Sequence, residues 1–427
     1  MTNIPKALRS LKSKLFFMSI TSVQKTVDRS IFILAFRMFC TSTVYTKKKR
    51  QREKSMKTVR ELHEEILRQE KLRGRDIGRE QEAYQMDCLL HPENSSREEE
   101  IYTCKVEESS LSVDVAAVIR ELSNREKRVY ALIAPAFLGQ FGEKVTPGRI
   151  RAALKAVGFC GMVEVAVFAD ILTLKEALEF DKHVVSTNDF QLTSCCCPVW
   201  IAMIRGIYGD LVPYVPGAVS PMIAAGRAVK KIHPDAMTVF VGPCLAKKKE
   251  AKEPDIADAV DYVLTFQEAK ELFEATGVRP EEFAEDEKEH SSMAGRIYAR
   301  TGGVSEAVRK TVAQINPERR IMVRPKQADG VKSCKQMIEA IKSGESSANF
   351  YEGMACEGGC VGGPRALIPK DEARELVNRY GEEAVYQTPL ENPYVIELIE
   401  KLGFYTIDDF LEKSDILTRN FGSGEAH

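Results

Sequence analysis

Short continuous apolar runs alternate with stretches of helical period along most of this chain. Val129 to Ala134 (Val-Tyr-Ala-Leu-Ile-Ala) is a run of the buried-strand type. After the start signal Thr146-Pro147, apolar residues from Ile150 to Val157 recur at helical spacing and predict an amphipathic helix. Met162 to Phe168 predicts a strand and Leu172 to His183 a helix. Met237 to Val241 and Asp261 to Thr265 predict two more strands, and helices follow at about 267–275, 303–314 and 332–342. A β-α-β-α order builds parallel sheets covered by helices, so the fold class is α/β. Cofactor sites in such folds lie at the carboxyl ends of strands.

Both termini depart from this pattern. In residues 1–55, eleven Lys or Arg from Lys6 to Arg50 face a single acid, Asp28, before Glu53. This bias reads either as an organelle transit peptide or as a tail outside the fold, with the working start at Met56. Its apolar run, Ile31 to Cys40, is too short to span a bilayer and contains Arg37. Residues 56–110 read as a charged, solvated helix (Met56 to about Gln85) and a linker marked by His91-Pro92-Glu93-Asn94-Ser95-Ser96. They hold only the isolated Cys88 and Cys104 and no Cys-x-x-Cys-x-x-Cys run, so no ferredoxin-like module is expected there. The α/β part is expected over 111–405 and a C-terminal tail over 406–427.

Composition narrows the function. The chain is 427 residues, 44% hydrophobic and 29% charged, as for a soluble globular protein. A net charge of -1 offers no electrostatic case for nucleic acid or a membrane surface. Six scattered histidines form no metal-ligand pattern, which argues against a zinc hydrolase. No phosphate-binding glycine fingerprint follows the first strand, which argues against a nucleotide-dependent dehydrogenase. Eleven cysteines without a clear secretory signal point to a reducing compartment, where thiols bind metal or do chemistry. Seven of them fall in four places: Cys195 to Cys197, Cys244, Cys334, and Cys356 with Cys360.

A cubane iron–sulfur cluster needs four thiolates converging from a few chain segments. Cys356 and Cys360 are spaced i, i+4, and on a helix both thiols would share one face, about 6 Å apart. Four glycines in Cys356-Glu357-Gly358-Gly359-Cys360-Val361-Gly362-Gly363 suit close backbone approach to a bulky group better than a structural helix. Cys195, Cys196 and Cys197 cannot all point one way. Pro198 after them suits the first turn of a helix from Pro198 to Gly206, where a thiol's pKa is lowered. Cys244 follows a predicted strand through the turn Gly242-Pro243. Lys247, three residues on, is either a buried ammonium beside an anionic cofactor or part of a solvated basic turn. Cys160 and Cys334 read as core positions, and Trp200 as packing for the helix behind the cysteines.

Three stretches carry a family resemblance. They are Thr193-Ser194-Cys195-Cys196-Cys197-Pro198-Val199-Trp200, Pro243-Cys244-Leu245-Ala246-Lys247-Lys248-Lys249-Glu250 and Glu352-Gly353-Met354-Ala355-Cys356-Glu357-Gly358-Gly359-Cys360. They resemble, in order, the three signatures of the [FeFe] (iron-only) hydrogenase catalytic domain, in the branch whose first motif is Cys-Cys-Cys-Pro. Ala134-Pro135 and Thr301-Gly302-Gly303-Val304 agree, and the resemblance covers about residues 115–405.

The resemblance implies two lobes with parallel-rich sheets flanked by helices and an H-cluster in the cleft between them. That cluster is a [4Fe–4S] cubane joined to a two-iron subcluster bearing CO, CN and a bridging dithiolate. Cys197, Cys244, Cys356 and Cys360 match its metal ligands, with Cys360 bridging to the two-iron unit. Cys196 matches the proton-delivering thiol, and Glu176 and Glu179 the carboxylates of the proton route. The bland reading of that i, i+3 pair is exposed helix charge. Lys247, Ala134, Pro135, Ser220 and Met354 match cofactor-binding positions. The implied activity is reversible H2 oxidation and proton reduction with ferredoxin or another small carrier, after loading by H-cluster maturation proteins. The implied place is the cytoplasm, or a hydrogenosome or other organelle if residues 1–55 are a transit peptide. Gly242 stands where methionine is usual, Met222 where glutamine is, Pro216 where a proton-relaying serine is, and Cys195 where a hydroxyl residue is. These departures open a second reading, a non-catalytic sensor or iron–sulfur assembly protein that keeps only the cubane.

Overall fold

The computed structural model describes residues 58–75, 89, 106, 110–193, 196–286, 290–412 and 414–421. The basic extension 1–55 lies outside the described residues, as do Cys40, Cys88, Cys104 and Cys195. Seven described strands form two parallel sheets. They are β1 (Arg128–Ile133), β2 (Gly161–Glu164), β3 (Gln191–Leu192), β4 (Ala236–Gly242), β5 (Tyr262–Thr265), β6 (Pro325–Asp329) and β7 (Phe350–Met354). The larger sheet has the order β2-β1-β4-β5 and the smaller β3-β7-β6. In the larger, Ala131 lies opposite Met162 on one side and Val239 on the other, and β4 pairs on to β5. The α/β class with parallel sheets flanked by helices is therefore what the chain forms.

The apolar runs became strands because helices cover both faces. In β1 every residue after Arg128 is buried, the mark of a central parallel strand. One boundary differs from the expectation. The run Met162 to Phe168 is a strand only to Glu164, and a single helix, Val165–His183, starts at the next residue. That helix buries 15 of its 19 residues, so it has no polar face and no helical period to announce its start. Asp170, buried within it, accepts hydrogen bonds from the Ser292 backbone (2.6 Å) and the Gly295 backbone (2.8 Å) and from the Ser292 hydroxyl. These bonds hold the short helix Met293–Arg296 against it.

The flanking segments join the same compact unit, Thr58–His427. The charged helix is Val59–Leu72, shorter than expected and not wholly solvated. It starts on a Thr58–Glu61 capping box and buries Val59, Leu62, His63 and Ile66. His63 Nδ1 lies 2.6 Å from the Leu390 carbonyl. The expected tail is also packed. Ile407–Glu412 is a helix, Thr406 bridges to Thr58, and Thr418 bridges to Ala218, with Ile416 and Leu417 buried between.

Trp200 sits in a third apolar cluster with Cys334, Tyr351 and Met337, and Cys197 packs against its edge. Its indole lies across Gly353 of β7, where a Cβ would stand 2.2 Å from the ring. Only glycine lets helix Pro198–Ile207, which follows Cys197, come this close to the strand. Gly353→Ala therefore forces the ring away and costs about 1–3 kcal/mol. A thermal melt of the variant is expected to run several degrees below wild type, and an unchanged midpoint contradicts this packing.

Candidate metal centre

The ends of strands from both sheets open onto one hollow with about 60 Å³ of water-accessible volume. Ala134 and Pro135 follow β1, Val165 follows β2, Pro243 and Cys244 follow β4, and Met354 closes β7; all line it. Cys196 and Cys197, just before helix Pro198–Ile207, line it too, as do Cys360 and Lys247. Of the four expected ligand thiols only Cys356 stands back from the wall, half-buried. Ser220 also stands behind the wall: its hydroxyl caps helix Pro221–Ile232, whose first residues Pro221 and Met222 line the hollow.

The Cys356 to Cys360 segment is not helical, contrary to the shared-face expectation. Gly358 and Gly359 take φ of +82° and +90°, and a short 3-10 turn begins at Cys360. The two thiols therefore leave a left-handed bend that L side chains rarely adopt. A Cβ on Gly359 would meet the Thr301 nitrogen at 2.7 Å and the Met354 sulfur at 2.9 Å. The bend is tied down by the Gly358 amide donating to Asp329 (2.8 Å) and the Thr301 amide donating to the Gly358 carbonyl (3.0 Å). Behind it, buried Glu352 accepts from the Gly302 and Ser305 amides (2.7 and 2.8 Å) and caps helix Gly303–Ile315.

The thiols share one electrostatic neighbourhood. Burial pushes Cys356 up to about 11, and Cys244 and Cys197 add to the rise. Burial raises Cys360 further, with Cys244, Cys197 and Cys356 all contributing. Burial also raises Cys244, against the pull of Lys247. Such a set cannot ionise together unless cations share it. All-sulfur donors without histidine fit an iron–sulfur group better than a hard metal ion. Among the described residues no three His, Cys, Asp or Glu side chains close on a single ion; the thiols stand around the hollow instead.

Lys247 is a buried ammonium rather than a solvated turn. It donates to buried Glu250 at 2.6 Å. Burial alone would lower its pKa, but Glu250, Cys244 and Cys360 together raise it, so it stays charged. Glu250 was not singled out in the sequence, although its i, i+3 spacing from Lys247 was visible.

Glu176 and Glu179 have separate surroundings. Glu176 is 1% exposed and acts electrostatically on Cys196. Glu179 accepts a 2.6 Å hydrogen bond from buried Lys175 and borders a surface cleft with Gln191 and Pro216. The Gln191 amide spans the two places by donating to the Glu176 carbonyl at 3.3 Å. The Gly242 departure also has a local cause. A Cβ there would stand 2.7 Å from the Phe240 ring, and Phe240 itself lines the hollow. Phe240 and Tyr298 are the aromatic wall residues that sequence reasoning missed, along with small and apolar ones such as Val165 and Ala169.

Residues 127–364 match the profile of a family described as the iron only hydrogenase large subunit, C-terminal domain. The chain belongs to that family. Iron hydrogenase 1 of Clostridium pasteurianum is 28% identical over 316 residues, 62% of this chain and 55% of that protein. The NADP-reducing hydrogenase subunit HndD of Solidesulfovibrio fructosivorans is 28% identical over 66% of this chain and 58% of its own length. The chain thus spans little more than half of these hydrogenase relatives. Cytosolic iron-sulfur assembly component 3 of Rattus norvegicus is 25% identical over 60% of this chain and 65% of its own length. In fold, the iron-only hydrogenase domain superposes on a variant of an [FeFe]-hydrogenase from Chlamydomonas reinhardtii with a TM-score of 0.59. That match is 21% identical and covers 72% of this chain and 99% of the algal one.

Replacing Lys247 with Met leaves the Glu250 carboxylate buried without its cation. The loss expected is about 3–5 kcal/mol, read as a lower urea midpoint. Adding Glu250→Gln to Lys247→Met is expected to recover most of it. A double variant no more stable than the single one contradicts the pairing.

Proposed function

We propose that this chain is an [FeFe] hydrogenase that interconverts H2 with two protons and two electrons, exchanging the electrons with an external carrier such as ferredoxin. Cys197, Cys244, Cys356 and Cys360 would hold a [4Fe–4S] cubane, and Cys360 would also help hold a two-iron subcluster loaded by maturation proteins. When bound, the metal group supplies the site where H2 is formed or split and the path for electrons. Lys247 offsets its negative charge from the wall. Ala134, Pro135 and Met354 enclose it and keep water out, and Ser220 positions that wall through helix Pro221–Ile232. The catalytic machinery belongs to residues 111–405, on which the segments before and after them pack. No helix among the described residues is long and apolar enough to cross a membrane. We place the chain in the cytoplasm, or in a hydrogenosome if residues 1–55 act as a transit peptide.

The observation that carries this reading is Cys196. Its thiol lines the same hollow as those of Cys197, Cys244 and Cys360, and the buried carboxylate of Glu176 lies near enough to raise its pKa after burial. A bare cubane has no use for an uncoordinated thiol backed by a buried acid. Proton transfer between the hollow and solvent needs such a pair. In the proton route, Cys196 holds the proton at Sγ and passes it to Glu176. From there solvent in the cleft bordered by Gln191, Pro216 and Glu179 would carry it to Glu179, with water taking the place of the missing serine.

A second reading, an iron–sulfur assembly protein or sensor holding only the cubane, is favoured by the similarity to the rat assembly component and by Pro216 and Gly242. Infrared spectra after co-expression with H-cluster maturation proteins separate the two. Carbonyl and cyanide bands with H2 evolution from reduced viologen are expected. Cubane iron with neither overturns the hydrogenase reading.

Within the hydrogenase reading, Cys196→Ala is expected to lower H2 evolution by about 10²-fold or more while iron content is kept. Glu176→Gln is expected to follow it, and Glu179→Gln to fall less because Lys175 already holds that carboxylate. A wild-type rate from Cys196→Ala overturns the route.

A further inference from the structure

Two neighbouring strands grip the turn Thr301-Gly302-Gly303. From β7, Glu352 accepts from the Gly302 and Ser305 amides at 2.7 and 2.8 Å. From β6, Asp329 accepts from the Thr301 hydroxyl at 2.9 Å. The parallel register sets Gln327 opposite Glu352 and Asp329 opposite Met354. Asp329 therefore stands at the carboxyl end of β6, beside the point where the chain leaves β7 for Cys356.

The same Asp329 oxygen, Oδ2, accepts a second bond, from the Gly358 amide at 2.8 Å. The Gly358 carbonyl accepts from the Thr301 amide at 3.0 Å. Asp329, Thr301 and Gly358 thus close a ring of three hydrogen bonds, and both backbone polar groups of Gly358 are used in it.

Gly358 and Gly359 are the two left-handed residues between Cys356 and Cys360. Glycine takes this conformation without steric cost, but two glycines in a row are also the freest link a chain can have. The bend's internal bonds run from the Gly359 amide to the Cys356 carbonyl and from the Gly362 amide to the Gly359 carbonyl, 3.0 Å each. They set its shape and not its aim. Its outer side is weakly held: Cys356 is half-buried, and the 2.9 Å pair between Glu357 and Lys370 is exposed to solvent. The ring through Asp329 and Thr301 is what fastens the bend to the sheet.

We propose that Asp329 and Thr301 are positioning residues for the Cys356–Cys360 pair: their ring of hydrogen bonds builds the two-thiol bend before metal arrives, so that binding does not have to order it. The inference rests on the cubane part of the proposed function for its consequence, but not for its geometry.

The test begins with the metal-free full chain, expressed without maturation proteins and kept reduced. It is alkylated with iodoacetamide, and each cysteine peptide is followed by mass spectrometry. In Asp329→Ala and in Thr301→Val, alkylation of Cys356 and Cys360 is expected to quicken about ten-fold, the scale of one to two hydrogen bonds. Buried Cys160 and the more distant Cys244 are expected to keep their wild-type rates. Asp329→Asn can present an oxygen at the same place and Thr301→Ser keeps the hydroxyl, so both are expected to stay within about two-fold of wild type. After reconstitution with iron and sulfide, bathophenanthroline is expected to strip iron about ten-fold faster from Asp329→Ala and Thr301→Val than from wild type. Unchanged Cys356 and Cys360 rates in those two variants overturn the proposal. So does a rise that Cys160 shares, because that marks a general loosening of the fold. If Asp329→Ala fails to fold, the Thr301→Val and Thr301→Ser pair decides alone. If the wild-type chain takes up no iron and sulfide, the cubane reading fails, while the alkylation rates still test the clamp.

Discussion

Parallel strands must each be re-entered from the same end, so their carboxyl ends collect on one side of a sheet. Here two such sheets open toward the same hollow, and that convergence places everything else. Cys244 and Lys247 arrive behind β4, Cys356 and Cys360 behind β7, and Cys196 and Cys197 behind the two-residue β3. No pair of these segments is close in sequence. Their meeting depends on crossover helices such as Val165–His183, which is buried along almost its whole length and spans from the hollow toward the cleft at Glu179.

Burial makes the wall a low-dielectric setting in which each charge must be answered locally. Lys247 is answered by Glu250, and Glu352 by two amides at a helix start. Glu164 accepts from Arg151 at 2.7 Å and from the Tyr380 hydroxyl at 2.9 Å. Burial would raise the Glu164 pKa, but Arg151, His290 and Arg296 outweigh it and hold the carboxylate ionised. Cys356 and Cys360 differ: burial raises both and neighbouring thiols raise them further, with Lys247 opposing the rise at Cys360. This contrast separates ion pairs that are complete within the chain from the raised thiols of Cys356 and Cys360.

Each departure around the hollow has a local setting in the structure. Gly242 has no side chain because the Phe240 ring fills that space from two residues earlier on the same strand. Pro216 lies where Glu179 and Gln191 border a surface cleft, so the absent hydroxyl leaves a place that solvent reaches.

Most of the fold and part of the site were legible in the chain before it folded. The sequence by itself determined the α/β class, because continuous apolar runs and helical periods are local patterns. It also determined the family, because three cysteine signatures occur in order, and through them the likeness of each thiol to a ligand position. It misplaced the start of helix Val165–His183, since a helix buried all round has no period. It read a helical face between Cys356 and Cys360 where two left-handed glycines make a bend. Only the tertiary structure decided that Glu176 is buried while Glu179 pairs with Lys175, that Phe240 and Tyr298 complete the wall, and that the segments at 58–75 and 406–421 pack on the same body. Those outcomes depend on which faces meet across hundreds of residues, and burial and charge compensation are properties of that meeting rather than of any local stretch.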